Sequence, residues 1–352
     1  MDETYFKLLR YFNLGEPVKP FRTGHNISYL DNRILDALGT DIRYIYPTLS
    51  PSSPIHQTNN PDILLDSFGQ SWKRAAPYYY VIDGLLKEAH TINQIEELVR
   101  WPDPNDEKWF SGLKERCIEI NNGKYWITAR MITSHGPFQT ACDLRGTENF
   151  LADLSINPDF AMALLERIGK FICDFTKKYL SACGDQIHMI ELPGDDYAGN
   201  ENPIISPMMF RKFFQPVLKK MVGCIKSFRA DLKVMLHSDG AITKLLPDLI
   251  ACGIDVIHPL EPLEVTDQFR IKAQYGSQVC FLGGIDISHA TLGSKTDVRN
   301  EVRRCMQALA PGGGFILAPS NHLQADVPPE NIVQLFEDAR VYGNYPINLG
   351  GI

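Results

Sequence analysis

Short apolar runs rich in branched residues recur along the chain, most regularly from residue 124 onward. Seven of them have the length of β-strands: residues 41–46, 125–132, 187–192, 234–236, 256–259, 279–282 and 315–318. They are nearly continuous in apolar character, which is typical of parallel strands that are covered on both faces. The pattern therefore predicts a parallel sheet at the centre of the molecule.

Segments with helical spacing lie between these runs. Residues 208–230 follow Ser206 and Pro207, a pair that favours a helix N-cap and first turn, and residues 242–252 end at Gly253. Residues 297–309 and 330–341 are further helical segments. Strands that alternate with helices, and whose number is close to eight, predict a single (β/α)8 barrel of the TIM type in the α/β class. An open doubly wound sheet is the alternative, but no Gly-x-Gly-x-x-Gly follows a strand.

The first 120 residues lack this rhythm. They contain a short amphipathic start at residues 5–12, a loop with prolines and serines at residues 50–54, and a turn at residues 66–69 that predicts a hairpin. No internal repeat or long linker divides the chain. We therefore expect one domain over residues 1–352, in which residues 1–120 form a helical and hairpin elaboration of the barrel.

Composition narrows the class of protein. The 352 residues are 44% hydrophobic and 22% charged, and 35 Lys and Arg against 42 Asp and Glu give a net charge of −7 without a basic block. This balance disfavours a nucleic-acid partner. Because no apolar run has the length of a signal peptide or of a membrane span, we expect a cytoplasmic protein without a membrane partner. The eight scattered cysteines favour reduced thiols over a disulfide framework or a thiolate zinc site.

Polar side chains follow the predicted strands at their carboxyl ends, where TIM barrels build their active sites. The candidates for catalysis and metal binding at these ends are Glu191, His237, Asp239 and His322. Two imidazoles and two carboxylates suit a zinc-like ion that keeps one position open for substrate. A metal-free polar pocket and purely structural roles are the alternatives, and Asp239 would then serve as a helix N-cap.

Further polar residues at the same strand ends are candidates for substrate binding. Asn321 directly precedes one of the histidines, and Asp195 and Asp196 follow the strand that contains Glu191. Two adjacent carboxylates on a loop point in different directions, so at most one is expected to face the site. We assign this role to Asp195 as a prediction.

An ordered set of short motifs resembles the uroporphyrinogen decarboxylase superfamily. The motifs are G-D-D at 194–196, I-S-P-M-M-F at 205–210, L-H-S-D-G at 236–240, G-G-I-D at 283–286 and V-P-P-E-N-I at 327–332. The resemblance extends over residues 33–345. It implies a distorted (β/α)8 barrel and one of two activities, decarboxylation of uroporphyrinogen or zinc-dependent methyl transfer with a corrinoid protein. Function on such a shared fold has to be argued from the site.

The N-terminal segment helps to separate these two activities. Decarboxylases of the family carry an arginine-rich stretch that holds the substrate's carboxylates, whereas residues 20–26 contain a single arginine, Arg22. Even with Arg43, few of the bidentate contacts needed by a tetrapyrrole polycarboxylate are available. The resemblance therefore favours a methyltransferase, with a carboxy-lyase as the alternative and a catalytically silent binding protein as a second one.

The metal ligands of the family indicate which kind of methyl transfer to expect. Its thiol-methylating members hold zinc with His-x-Cys and a later Cys, but this chain has His237 with Asp239, and later Asn321 and His322. Harder ligands make zinc more Lewis-acidic and better suited to an oxygen leaving group. We expect transfer of a methyl group from a small O-methyl, or N-methyl, substrate to a corrinoid on a partner protein. Tyr79 is a candidate to line a pocket for a flat substrate; a homodimer is left open.

Overall fold

The computed structural model describes residues 1–21, 26–47, 56–75, 78–121, 123–130 and 135–347. Its strands, in chain order, are β1 (Ile42–Ile45), β2 (His56–Gln57), β3 (Ile63–Leu65), β4 (Ser71–Ala75), β5 (Tyr78–Val81), β6 (Trp126–Arg130), β7 (Met189–Glu191), β8 (Lys233–His237), β9 (Val256–His258), β10 (Cys280–Ile285) and β11 (Phe315–Pro319). They form two sheets, one of seven strands and one of four.

The helices surround the larger sheet. In chain order they are α1 (Asp2–Tyr11), α2 (Asn32–Leu38), α3 (Gln94–Leu98), α4 (Leu113–Ile120), α5 (Pro137–Arg145), α6 (Thr147–Ile156), α7 (Pro158–Cys183), α8 (Pro207–Met209), α9 (Gln215–Phe228), α10 (Leu246–Ala251), α11 (Gln268–Tyr275), α12 (Lys295–Leu309) and α13 (Pro329–Tyr342). Short 3-10 helices cover Glu107–Phe110 and Ile242–Leu245, and a π turn, Phe210–Phe214, joins α8 to α9. None of the helices in the described part of the chain combines the length and apolar character needed to cross a membrane.

The seven-stranded sheet is parallel, with the strand order β1-β6-β7-β8-β9-β10-β11. All seven predicted strands are present, and the prediction of a TIM-type α/β barrel is confirmed. Both faces of the strands are buried: Met189 and Met235 belong to a cluster inside the barrel, whereas Ile190 and Leu236 belong to the core between strands and helices. This double burial explains why the strands are continuously apolar.

Helices bring the two ends of the barrel sheet together. Within the described residues no strand pair joins β1 to β11; α13 instead packs against α1 and α2. The Thr4 hydroxyl donates to the Leu323 carbonyl over 2.9 Å, and the Arg340 guanidinium donates to the Leu38 carbonyl. A small apolar cluster beside them includes Leu9 and Ile332.

The second sheet is antiparallel and belongs to the N-terminal elaboration. It has the order β2-β3-β4-β5, so the predicted hairpin at residues 66–69 is present but is part of a larger sheet. The Asp66 carboxylate accepts hydrogen bonds from the amides of Phe68 and Gln70 and from the indole N–H of Trp72. The predicted loop at residues 50–54 lies outside the described residues.

Two helix boundaries follow the sequence signals closely. Ser206 caps α8 by accepting a hydrogen bond from the Met209 amide, and Pro207 occupies the first turn. The predicted helix at 242–252 begins as a 3-10 turn and ends before Gly253, whose φ of 88° is readily adopted by glycine. All eight cysteines are free thiols, in agreement with the prediction.

Candidate functional site

Three side chains at the carboxyl ends of neighbouring strands can hold a metal ion. His237 ends β8, Asp239 lies two positions later, and Asp196 lies in the loop after β7. One ligand atom of each lies within 4.8 Å of the others, and we call these three side chains the donor group. The His237 Nε2 atom is 3.5 Å from Asp239 Oδ1 and 3.9 Å from Asp196 Oδ1. The Asp239 amide also donates to Asp196 Oδ1 over 2.8 Å, which holds the two loops together.

The environment of Asp239 fits a cation. Its Oδ2 atom accepts a hydrogen bond of 2.6 Å from the Asn321 side-chain amide. Its Oδ1 atom is buried and has no hydrogen-bond partner among the described residues. Because a buried carboxylate oxygen without a donor is costly, a metal ion at this atom would supply the missing interaction. The alternative in which Asp239 is a helix N-cap is wrong, since the helix at Ile242 is preceded by Ala241 without a side-chain cap.

A second histidine fixes the orientation of His237. The Nδ1 atoms of His237 and His258 are 2.8 Å apart, so one of them donates and the other accepts. Burial and the nearby positive charges of His237 and Arg130 hold the pKa of His258 well below its ordinary value. A neutral His258 can accept a hydrogen bond at Nδ1, and we assign the donor role to Nδ1 of His237. This leaves Nε2 of His237 facing the two carboxylates, as a metal ligand requires.

The same carboxylates favour a positive charge at His237. Burial alone would lower its pKa, but the negative charges of Asp239, Asp196 and Glu191 outweigh burial, so the pKa is raised. Without a metal, the Nε2 atom thus tends to carry a proton. A bound cation would replace that proton, which makes metal binding a competition with protonation.

The carboxylate that joins this group is Asp196, not Asp195. Asp195 is 1% exposed, and its oxygens accept hydrogen bonds from the amides of Phe138 and Gln139 and from the Tyr197 hydroxyl. It thereby binds the N-terminal turn of α5. Burial raises its pKa to about 7. These contacts occupy Asp195 and contradict the prediction that it binds substrate.

Glu191 points into the barrel but has a different partner. Its Oε1 atom lies 3.2 Å from Nε of Arg130, which is its neighbour in the register of β6 and β7. Glu191 is buried, and its charge is the main reason why the pKa of Arg130 is raised. Glu191 was predicted as a metal ligand, but it does not belong to the three mutually close side chains. Its negative charge is instead balanced by Arg130, which was not among the predicted site residues. The signal in the sequence that could have identified Arg130 is its position at the end of an apolar strand.

His322 and Asn321 occupy the loop after β11. Asn321 reaches the donor group through Asp239, as described above, whereas His322 is exposed and its amide donates to Asn321 Oδ1 over 2.7 Å. The positive charge of His322 contributes to the low pKa of His258, which places it near the barrel mouth. Its predicted role as a ligand stays a prediction.

Arg43, another predicted substrate-binding residue, lies away from the donor group. Arg43 is buried and its guanidinium donates to the Thr40 carbonyl, pairs with Asp36 and stacks 3.7 Å from the ring centre of Tyr125. These partners precede β1 and β6, so Arg43 is at the opposite end of the strands from the donor group, and its predicted substrate role is wrong. Tyr79 lies on β5 opposite Arg74, and Arg22 is outside the described residues.

A second histidine and carboxylate pair lies beside the donor group. The Nδ1 atom of His135 is 2.6 Å from Asp143 Oδ2, and the ring centres of His135 and Trp72 are 5.9 Å apart. His135 pairs in a parallel bridge with Gly194, where a Cβ atom would come within 2.9 Å of Cδ2 of His237. No pattern in the sequence marks His135 as a site residue. Its partner Asp143 lies eight positions further along the chain, on α5, and nothing in the local sequence connects the two.

Comparisons with known proteins agree with this architecture. The family model described as Uroporphyrinogen decarboxylase (URO-D) matches residues 91–342. Among solved structures, a methyltransferase from Methanosarcina mazei is 16% identical over 96% of this chain and 91% of that chain, with a TM-score of 0.61. A B12-independent methionine synthase from Shewanella sp. W3-18-1 is 12% identical over 64% of this chain and 66% of that chain, with a TM-score of 0.44. The first likeness shows the fold. A search of curated proteins finds no match.

Proposed function

Because the chain belongs to the uroporphyrinogen decarboxylase family, we propose that it is a metal-dependent methyltransferase. It moves a methyl group from a small O-methyl, or less favourably N-methyl, substrate to a corrinoid carried by a partner protein. One observation carries this proposal: the donor group combines one imidazole with two carboxylates, and one carboxylate oxygen, Oδ1 of Asp239, is buried without a hydrogen-bond partner among the described residues. The methyltransferase from Methanosarcina mazei, whose fold is similar, supports it further.

We infer that zinc is the metal and that His237, Asp239 and Asp196 hold it. When bound by such nitrogen and oxygen ligands, zinc supplies Lewis acidity toward a substrate oxygen. The surrounding residues of the chain then have separate tasks. His258 accepts the Nδ1 proton of His237 and keeps Nε2 directed at the site, and the Asn321 amide holds Asp239.

Charge balance supports a divalent ion. Two carboxylates, Asp196 and Asp239, neutralise two positive charges when His237 is neutral. A third carboxylate in the same region, Glu191, is already paired with Arg130. The charges of Asp196 and Asp239 therefore match that of a divalent cation.

In the reaction we propose, the bond between the methyl carbon and the substrate oxygen breaks. The methyl group forms a bond with cobalt, using the electron pair of the reduced Co(I) corrinoid on the partner. The oxygen keeps the electron pair of the broken bond and takes up a proton. Trp72, which reaches the barrel mouth from the antiparallel sheet and packs near His135, offers an aromatic surface to a flat substrate.

The test combines the purified protein with a reduced corrinoid carrier protein and a panel of methoxylated compounds, and follows methyl-cobalt formation optically. Metal content is measured by elemental analysis on the same samples. We expect methyl-cobalt from wild-type protein and one zinc per chain, and loss of both in His237→Ala. The matched control is His90→Ala, because His90 is exposed and lies in the N-terminal elaboration.

Consumption of uroporphyrinogen is measured in parallel. Loss of carboxylate from the porphyrinogen, with no methyl-cobalt from any donor, would replace the proposed activity by that of a carboxy-lyase. Absence of both signals would instead favour a binding protein without catalytic activity. Activity that is retained in His237→Ala would contradict the role of the donor group.

A further inference from the structure

His135 and Asp143 form a hydrogen-bonded pair beside the donor group. Asp143 lies on α5 and is 15% exposed at its side chain, and its Oδ2 atom accepts the Nδ1 proton of His135 over 2.6 Å. The Gln139 amide approaches Asp143 Oδ1 at 3.4 Å, and the Thr140 hydroxyl donates to the His135 carbonyl over 3.1 Å. Both members of the pair are thus held by neighbours, so the orientation of the imidazole is fixed.

The imidazole of His135 lies between an aromatic ring and the candidate metal ligands. On one side is Trp72, with ring centres 5.9 Å apart. On the other side is Gly194, whose backbone pairs with His135 and whose missing side chain leaves room for His237. The His135 side chain is 39% exposed, so a molecule that enters the barrel mouth can reach it. His135 is therefore placed to contact a substrate at the barrel mouth and is not part of the apolar core.

One nitrogen of His135 is available for chemistry. Nδ1 is bound to a carboxylate, and no residue that the structure describes hydrogen bonds to Nε2. Burial alone would lower the pKa of His135, but the hydrogen bond to Asp143 and the negative charges around the ring, led by that of Asp143, raise it. The carboxylate of Asp66, which binds the Trp72 indole, lies near Asp143 as well. These surroundings favour the imidazolium form, in which Nε2 carries a proton.

Resting on the proposed function, we propose that His135 is the proton donor of the reaction. As the bond between the methyl carbon and the substrate oxygen breaks, the oxygen retains the electron pair and takes the proton from Nε2 of His135. The methyl group goes to the Co(I) centre of the partner's corrinoid, and solvent water returns a proton to His135 afterwards. Asp143 is a positioning residue, since it holds Nδ1 and stabilises the imidazolium.

The experiment compares two probes whose leaving oxygens differ in basicity. The phenolate that leaves para-nitroanisole is weakly basic and needs little protonation, whereas the one that leaves para-methylanisole is strongly basic and needs more. Methyl-cobalt formation is measured for both probes with wild-type protein, His135→Gln, Asp143→Asn and the exposed control His90→Gln. A general acid typically contributes ~10²–10⁴-fold to the rate.

We expect His135→Gln to lose about 100-fold on para-methylanisole and far less on para-nitroanisole, and Asp143→Asn to shift the ratio of rates in the same direction. The ratio is measured within one preparation, so partial misfolding of a variant lowers both rates and leaves it unchanged. Equal losses on both probes would overturn the role of His135 while the proposed function stands. Wild-type protein that forms methyl-cobalt neither with these probes nor with any other methoxylated compound of the panel would remove the proposed function, and this inference with it.

Discussion

At the scale of single residues, the site depends on how closely the loop after β7 approaches β8. The hydrogen bond between the Nδ1 atoms of His237 and His258 decides which nitrogen faces the two carboxylates. Gly194 permits this arrangement, because any Cβ atom at this position would come too close to the His237 ring. A residue that contributes no functional group can therefore be as necessary for metal binding as a ligand.

Gly194→Ala is expected to weaken zinc binding by about 10–100-fold, the range observed when the groups that orient a ligand are changed. The added Cβ atom would lie 2.9 Å from Cδ2 of His237, so the imidazole has to move away from Asp239. Titration with a zinc-competing chelator measures the change. The control is Gly223→Ala, since a Cβ atom there meets nothing within 4 Å. Unchanged zinc affinity in Gly194→Ala would contradict the assigned ligand set.

The sequence predicted part of this site, and the physical reason is visible in individual residues. His237 ends a strand, and Asp239 and Asn321 each lie two positions after one, so their position in a barrel is determined by chain order alone. The choice between Asp195 and Asp196 depends on loop dihedrals, which adjacent carboxylates do not reveal. The role of Arg43 was wrong because an arginine early in a strand belongs to the amino end of a barrel, away from the mouth.

At the scale of elements, strands that are buried on both faces and helices with capping residues were predicted well. The sheet β2–β5 was predicted only as a hairpin. Its strand β4 is exposed at Lys73, Arg74 and Ala75 and does not alternate, so hydrophobic periodicity gives no signal there. Short strands that are held mainly by backbone hydrogen bonds therefore cannot be predicted from the hydrophobic pattern of the sequence.

Asp31→Ala tests how α2 is held beside the barrel. Asp31 caps α2 through the Arg33 amide and also accepts from the Arg33 guanidinium and the Tyr5 hydroxyl. We expect a loss of about 1–3 kcal/mol in the free energy of unfolding at pH 7. Urea unfolding, followed by circular dichroism, measures it. The control is Asp41→Ala, an exposed aspartate for which a change within about 0.5 kcal/mol is expected.

The effect of Asp31 depends on pH in a definite direction. Burial alone would raise its pKa, but the hydrogen bonds from Arg33 and Tyr5 outweigh burial and lower it. The stabilisation is therefore complete above the ordinary pKa of about 4 and is lost as the pH falls through the lower folded value. The difference between wild type and Asp31→Ala should shrink in strongly acidic urea titrations. A difference that grows on acidification would contradict this account.

At the scale of the whole molecule, α1, α2 and α13 pack together and connect the two ends of the barrel sheet. We call these three helices the clasp. Leu9 is 4% exposed in the apolar cluster that these helices share. Leu9→Ala is expected to lower the free energy of unfolding by about 2–4 kcal/mol, because it leaves a cavity there. Ile156→Ala is the control, with a side chain that is 80% exposed and an expected change within about 0.5 kcal/mol.

The same variant tests whether the chain is one cooperative unit. The four tryptophans lie outside the cluster that contains Leu9. If residues 1–352 form a single domain, urea curves from tryptophan fluorescence and from circular dichroism shift together in Leu9→Ala. A fluorescence transition that stays in place while the circular dichroism curve moves would show that the clasp unfolds on its own.

The clasp also bears on the order of folding events. The Met1 amino group and the Leu323 carbonyl, which it contacts, are separated by 322 positions along the chain. Closing so long a loop has a large entropic cost, so contacts of this kind form late. Asp196 and His237 instead follow and end the neighbouring strands β7 and β8, so bringing them together closes a much shorter stretch of chain. Asp196, His237 and Asp239 are therefore expected to meet while the barrel is still open, before the contacts between the two ends of the chain form.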